Sequence, residues 1–364
     1  MGVDAQHGQL VSLSLRNRFL DRIGFEHPII QAPMANGGGV ELCVAAINGG
    51  ALGSLPCGML SDMQIRKQVG EVRGQVSGPI NLNFLCHRMP GQTDDSAWRA
   101  LLQPYYDELG VEPVGPGPMR LPFDQAACAA VEELKPEVVS FHYGLPPDPL
   151  LDRVKATGAV ILSSATTVAE ACWLEERGID AIIAQGFEAG GHSGRFLGSD
   201  PAEAVGLISL LPQIVDAVAV PVIAAGGIAD GRGIRAAFAL GASAVQIGTA
   251  YLLTDESLIP QPFKELLASR PTLMSNIYSG GLARAARGRL IDELGAVRGE
   301  APPFPLASSA LMPLWRAAQE RGDWNLLLPL AGQSASLARP MPAMELTSKL
   351  ATEAQIIIGS RADA

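Results

Sequence analysis

Ala181-Ile182-Ile183-Ala184-Gln185-Gly186-Phe187-Glu188-Ala189-Gly190-Gly191-His192-Ser193-Gly194 is the stretch whose reading decides the fold. Its first four residues are apolar and β-branched at the centre, and turn signals bound them on both sides. That pattern reads as a short buried strand. The strand runs into a Gly-rich loop carrying one imidazole. Glycine lets the backbone take positive φ and lets a flat ligand approach closely, and imidazole exchanges a proton near neutral pH. A lone loop histidine more often caps a helix or bonds locally. The company this one keeps turns the reading toward chemistry.

Outward from it the same unit repeats: apolar strand, Gly- or polar-rich loop, amphipathic helix. The other strands are read at residues 27–34, 51–56, 80–85, 138–144, 159–164, 221–227 and 244–249. Eight strands alternating with helices, about thirty residues per unit, predict an α/β fold, a (β/α)8 TIM barrel rather than an open sheet. Gly37-Gly38-Gly39, Gly115-Pro116-Gly117 and Gly231-Arg232-Gly233 all lack the third glycine of a dinucleotide fingerprint, so a Rossmann site has no support. The connection over residues 87–133 is long, with Trp98, Tyr105 and Tyr106 in a helical segment and a Pro-rich run at 111–122. It reads as a lobe over the site; a plain solvated loop is the alternative. Residues 254–330 carry no strand signal, several helical segments and a Pro-rich joint at 301–305. They read as a helical lid insert between strand 8 and helix 8, with helix 8 resuming at 332–335 and running past Met344. The expected organisation is a flexible N-terminal tail at 1–17, a barrel at 18–253 and 331–360, and the insert at 254–330.

Composition sets the outer limits. A chain of 364 residues, 48% hydrophobic and only 18% charged, with 40 glycines, fits a sheet buried on both faces. A net charge of −10 argues against nucleic acid as a partner. Five scattered cysteines, with no paired spacing, read as small buried hydrophobes in a reducing compartment. No His, Cys and Asp grouping has metal-ligand spacing, so no metal is expected. Residues 1–17 hold no apolar core, and the best membrane candidate, 238–253, is broken by glycines and polar residues. A cytoplasmic protein without a membrane partner is the expectation.

In such a barrel the C-terminal strand ends form the active face. Gathered there are residues 31–34, Asn83, His142, Ser163, Ser164, Gln185, His192, Gly226-Gly227 and Gly248-Thr249. Loops after the last two strands commonly hold a phosphate, where backbone N–H groups and a helix N-terminus converge on an anion. Glycines placed only for tight packing are the plain alternative.

Gln31-Ala32-Pro33-Met34, residues 185–194, Pro221-Val222-Ile223-Ala224-Ala225-Gly226-Gly227-Ile228 and Gln246-Ile247-Gly248-Thr249 occur in this order at strand ends. Over residues 18–355 the chain resembles nitronate monooxygenases, formerly called 2-nitropropane dioxygenases. Flavin enoyl-acyl-carrier-protein reductases and some NAD(P)H:quinone reductases carry similar stretches. The runs at 140–146 and 163–167 look closer to the nitronate monooxygenase branch, whereas Gly281 stands where a basic residue of a Ser-Gly-Arg run is expected. The resemblance implies non-covalent FMN, with its phosphate at Gly226, Gly227, Gly248 and Thr249. The ring would be edged by Ala32, Pro33, Met34, Asn83, Ser164 and Gln185, with Gly190, Gly191, Gly332 and Gln333 completing the cofactor site. His192 matches the catalytic histidine and would act as general base; His142 is either a substrate contact or a strand-end histidine that bonds the loop. The implied reaction is FMN-dependent oxidation of alkyl nitronates, and of nitroalkanes, by O2 to a carbonyl compound and nitrite, in a chain free to form a homodimer. The alternatives are an NAD(P)H-dependent flavin reductase of a quinone or enoyl thioester, and a flavin-binding sensor or scaffold.

Overall fold

The computed structural model describes residues 18–91, 93–113, 119–198 and 203–354. The expected tail at 1–17 and the last expected barrel residues, 355–360, lie outside them. Eight parallel strands form the frame: β1 (Ile29–Gln31), β2 (Gly53–Pro56), β3 (Ile80–Leu85), β4 (Val138–His142), β5 (Val160–Ala165), β6 (Ala181–Gln185), β8 (Val222–Ala225) and β9 (Ala244–Ile247). Their order is β1-β9-β8-β6-β5-β4-β3-β2. The ring closes between its two ends, where Gln31 N–H donates to Leu52 O at 3.0 Å and Leu52 N–H to Ile29 O at 3.0 Å. This is the expected (β/α)8 barrel.

Alternation along each strand sorts the core into two shells. Val160, Leu162, Ala181, Ile183, Ile223 and Ala225 pack inside the ring, with Phe19, Leu20, Ile23 and Phe25 around α1 (Arg18–Ile23). The intervening Ile161, Ile182, Ala184, Val222 and Ala224 pack with the surrounding helices. Both faces are therefore dry, which is why the strands read as continuous apolar runs. The surrounding helices are α2 (Val40–Asn48), α3 (Asp62–Arg73), α5 (Gln125–Leu134), α6 (Asp148–Ala156), α7 (Val168–Glu176), α8 (Leu207–Ala217), α9 (Gly231–Ala239) and α14 (Ala343–Glu353). Sequence-local signals start several of them: Ser61 and Gln64 form a capping box on α3, and Asp124, Thr167 and Asp230 cap α5, α7 and α9. All five cysteines are free, and burial pushes the Cys43 thiol up to about 12, in keeping with inert packing.

Two expectations about the C-terminal part are corrected. Between barrel strand β9 and α14 the chain forms α10 (Thr249–Leu252), α11 (Gln261–Ser269), α12 (Arg289–Leu294) and α13 (Ala307–Arg321), but also two strands. These are β10 (Thr272–Ser275) and β11 (Ala283–Ala286), paired antiparallel, with β11 also paired to β7 (Gly191–His192) in the central loop. Ala283-Arg284-Ala285-Ala286 has helix-favouring composition; tertiary pairing and full burial override it. The last barrel helix also starts late: residues 335–337 make only a 3-10 turn, and Pro340 and Pro342 delay the helix to Ala343.

The connection after β3 supplies α4 (Ser96–Leu109), which packs on α13 in a second apolar core. Trp98 Nε1 donates to Ala307 O at 3.1 Å and Tyr106 O–H to Ala310 O at 2.5 Å, so the two late-joining segments hold each other over the barrel.

Candidate active site

A cavity of about 730 Å3 opens at the C-terminal ends of the strands. Its floor is made by Ala32, Pro33, Met34, Asn83, His142, Ser164, Gln185, Gly226, Gly227, Gly248 and Thr249, with Gly190, Gly191, His192 and Gly332 at one side. Its roof comes from the late segments: Arg120 from the connection after β3, and Tyr278, Phe304, Met312 and Trp315 from the insert. Gln333 is not among the lining residues. It is exposed, and its backbone N–H donates to Glu188 O at 3.0 Å, so Gly332 and Ser334 close this wall instead.

Local bonds fix the central loop. Gln185 Nε2 donates to His192 O at 2.9 Å while its Oε1 accepts from Gly194 N at 2.7 Å, pinning both ends of the turn to β6. Glu188 accepts from Leu207 N, and Arg284, almost fully buried, donates from Nε and a terminal nitrogen to Phe187 O at 3.1 and 2.9 Å. The imidazole of His192 is thereby carried on a rigid strand pair rather than a loose loop.

His192 Nε2 lies 2.6 Å from Ser279 Oγ, and its ring packs against Phe304 at 5.0 Å and Tyr278 at 5.8 Å between centroids. Burial holds its pKa well below the ordinary value, and the Arg120 charge and the neighbouring His142 and His87 push the same way. The ring is neutral at pH 7. His142 spends both nitrogens on the protein: Nδ1 pairs with Ser164 Oγ at 2.6 Å and Nε2 with His192 O at 3.3 Å. Burial brings its pKa down to about 4. Of the two roles expected for it, holding the loop is the one these bonds describe.

The glycine cradle has the features of an anion site. Gly226 and Gly227 take φ of 113° and 70°, and a Cβ on Gly226 would sit 2.9 Å from Ala189 N. Among the described residues the N–H groups of Gly226, Gly227 and Gly248 have no acceptor in the protein. Thr249 Oγ1 accepts from Gly332 N at 2.9 Å, which leaves its own hydrogen free to donate. The N-terminus of the short α10 belongs to this cradle, with Gly248 as its N-cap and Thr249 as its first residue, whereas the start of α9 does not. Asp230 already accepts from Arg232 N and Gly233 N at the start of α9. Beside the cradle, on the strand that leads into Gly248, Gln246 Oε1 is buried with no partner among the described residues. The cradle and this orphaned acceptor fit a phosphorylated, ring-bearing group.

Sequence reasoning passed over Arg120, Ser279, Tyr278, Phe304 and Trp315. All lie on segments without strand-end placement, and only the aromatic content of the insert hinted at them. Gly281 is close-packed instead of basic: a Cβ there would meet Phe304 Cβ at 3.1 Å. No metal-binding group of side chains occurs among the described residues, nor does any described helix have the length and apolarity to cross a membrane.

The nitronate monooxygenase family model matches residues 16–353. Nitronate monooxygenase of Pseudomonas aeruginosa is 39% identical, over 93% of this chain and 99% of that one. Nitronate monooxygenase of Paraburkholderia phytofirmans is 38% identical, over 93% and 95%. Among solved structures, nitroalkane oxidase from Streptomyces ansochromogenes superposes with a TM-score of 0.86 at 35% identity, covering 92% of this chain and 97% of that chain. FabK from Thermotoga maritima superposes with a TM-score of 0.68 at 27% identity, covering 93% and 96%.

Proposed function

Because the chain belongs to the nitronate monooxygenase family and is an oxidoreductase of that kind, we propose that it oxidises alkyl nitronates, and neutral nitroalkanes, with O2 to a carbonyl compound and nitrite, using FMN. The observation that carries the reading is a neutral imidazole, His192, rigidly held in the same cavity as a cradle of glycine N–H groups that have no acceptor among the described residues. Gly226, Gly227, Gly248 and Thr249 would hold the phosphate, and Ala32, Pro33, Met34, Asn83, Ser164 and Gln185 would border the ring. FMN, when bound, supplies the electron acceptor between substrate and O2.

The chain's own residues supply the rest. Ser279 Oγ orients the His192 ring through Nε2, which leaves Nδ1, without a protein partner among the described residues, to take the α-proton of a nitroalkane. The aromatic roof of Tyr278 and Phe304, with Tyr143 from the end of β4 packed against Phe304, keeps bulk water from the carbanion. A nitronate arrives already deprotonated and needs only the roof and the orientation.

The test is anaerobic mixing of the purified protein with a nitronate, NADH or NADPH, while its flavin absorbance is followed. Loss of absorbance with the nitronate at turnover speed supports the reading; loss at that speed with a nicotinamide would make the protein a reductase. The released cofactor should be FMN, and Gly227→Val, whose side chain enters the cradle, should purify largely without it.

A further inference from the structure

Arg120 is a buried cation of the cavity lining that the fold leaves without a carboxylate, unlike Arg316, which also lines the cavity but is exposed. Its side chain is only 7% exposed, yet among the described residues no carboxylate pairs with it and no acidic residue lines the cavity. One terminal nitrogen donates to Tyr278 O–H at 3.2 Å, and the guanidinium lies 5.3 Å from that ring's centroid. The remaining N–H groups of the guanidinium have no acceptor among the described residues. Arg284, the other largely buried arginine, is in the opposite state, with its donors turned on the backbone oxygens of Phe187 and Thr272. These free N–H groups face the cavity, and a planar fork of donors matches a planar two-oxygen anion. Tyr278 ties Arg120 to the reacting centre, because its ring also packs 5.8 Å from that of His192.

We infer that Arg120 binds a small organic anion through its two oxygens beside His192; on the functional reading above, on which this rests, that anion is the nitronate. When a nitroalkane is the substrate, its C–H bond breaks and the proton moves to His192. The electron pair spreads onto the nitro oxygens, which face the guanidinium, so Arg120 also stabilises the charge as it forms. The assignment adds a substrate contact from a loop outside the barrel strands.

Propanoate serves as probe, since its carboxylate is a planar two-oxygen anion without a nitronate's reactivity; neutral nitroethane is the control. Binding of both to the protein as purified is measured by calorimetry for wild type, Arg120→Lys and Arg120→Met. Propanoate should bind about ten-fold or more weakly to Arg120→Met, with part of the affinity kept in Arg120→Lys and nitroethane little changed. In Arg120→Met the KM for ethylnitronate should rise by a larger factor than kcat falls. The acid limb of nitroethane kcat/KM should move to higher pH, because a positive charge facing His192 is gone while His87 and His142 stay in place. Unchanged propanoate affinity in folded Arg120→Met, or equal losses for propanoate and nitroethane, would overturn the assignment. Should Arg120→Met not fold, Arg120→Gln gives the same readings and retains a donor toward Tyr278. A wild type that binds propanoate through Arg120 but turns over no nitronate would sink the functional reading and leave the anion site standing.

Discussion

At the scale of single residues, the histidines show how position decides role. His192 and His142 sit on the same barrel face, and both are driven neutral by burial. His142 has no nitrogen left for a substrate, whereas His192 keeps one. His192→Asn preserves polarity and approximate size but cannot take a proton as imidazole does. Its nitroalkane turnover should fall by about 10²–10⁴, while nitronate turnover is largely retained. Because the imidazole pKa lies below 6.5, wild-type nitroalkane kcat/KM should be flat through pH 7 and fall only at more acidic pH. Equal losses on both substrates would make His192 an orienting group. Steady-state kinetics on nitroethane and ethylnitronate across pH separates these outcomes.

At the scale of elements, the central loop and the insert depend on one another. β7 has two residues and would not persist alone; β11 gives it a partner, and Arg284 on β11 reaches across to the carbonyl of Phe187. Arg284→Met fills the same space but strands that carbonyl, which should cost about 1–3 kcal/mol. The change should also lower nitroalkane turnover by loosening the strand pair that carries His192. Denaturant unfolding measures the first effect, and an unchanged midpoint would show that Arg284 is not the clamp. None of this pairing was visible in Ala283-Arg284-Ala285-Ala286, whose composition favours a helix. Its strand state comes from pairing on both sides, with β10 just before it and with β7 about ninety residues earlier.

At the scale of the whole molecule, the same burial that keeps the imidazoles neutral makes the fold sensitive to acid. His27, His87, His142 and His192 all have lowered pKa values, with burial the leading cause in each, and His87 and His142 come down to about 4. Below pH 6.5 the unfolded chain takes up protons that the folded chain refuses until a more acidic pH. Their contribution to stability is therefore fully present above pH 6.5 and is lost as pH falls from there toward 4. Each imidazole removes roughly 1.4 kcal/mol per pH unit inside its window. Denaturation midpoints should drop steeply between pH 6.5 and 5, and a midpoint constant over that range would refute the account.

The barrel was legible in the sequence because its signals are local. Each strand is a short, nearly continuous apolar run, several helices are capped by a neighbour such as Ser61 or Asp230, and the glycines at 226, 227 and 248 mark strand ends directly. The floor of the site followed from the same register, since strand-end residues in a closed barrel must point to one mouth. The roof was a different matter. Arg120, Tyr278, Ser279 and Phe304 come from segments brought together by α4 packing on α13 and by β11 pairing with the loop at His192. Contacts between residues so far apart in the chain leave no periodicity to read. Which cation faces His192, which hydroxyl orients it and what closes the cavity were decided by tertiary structure alone.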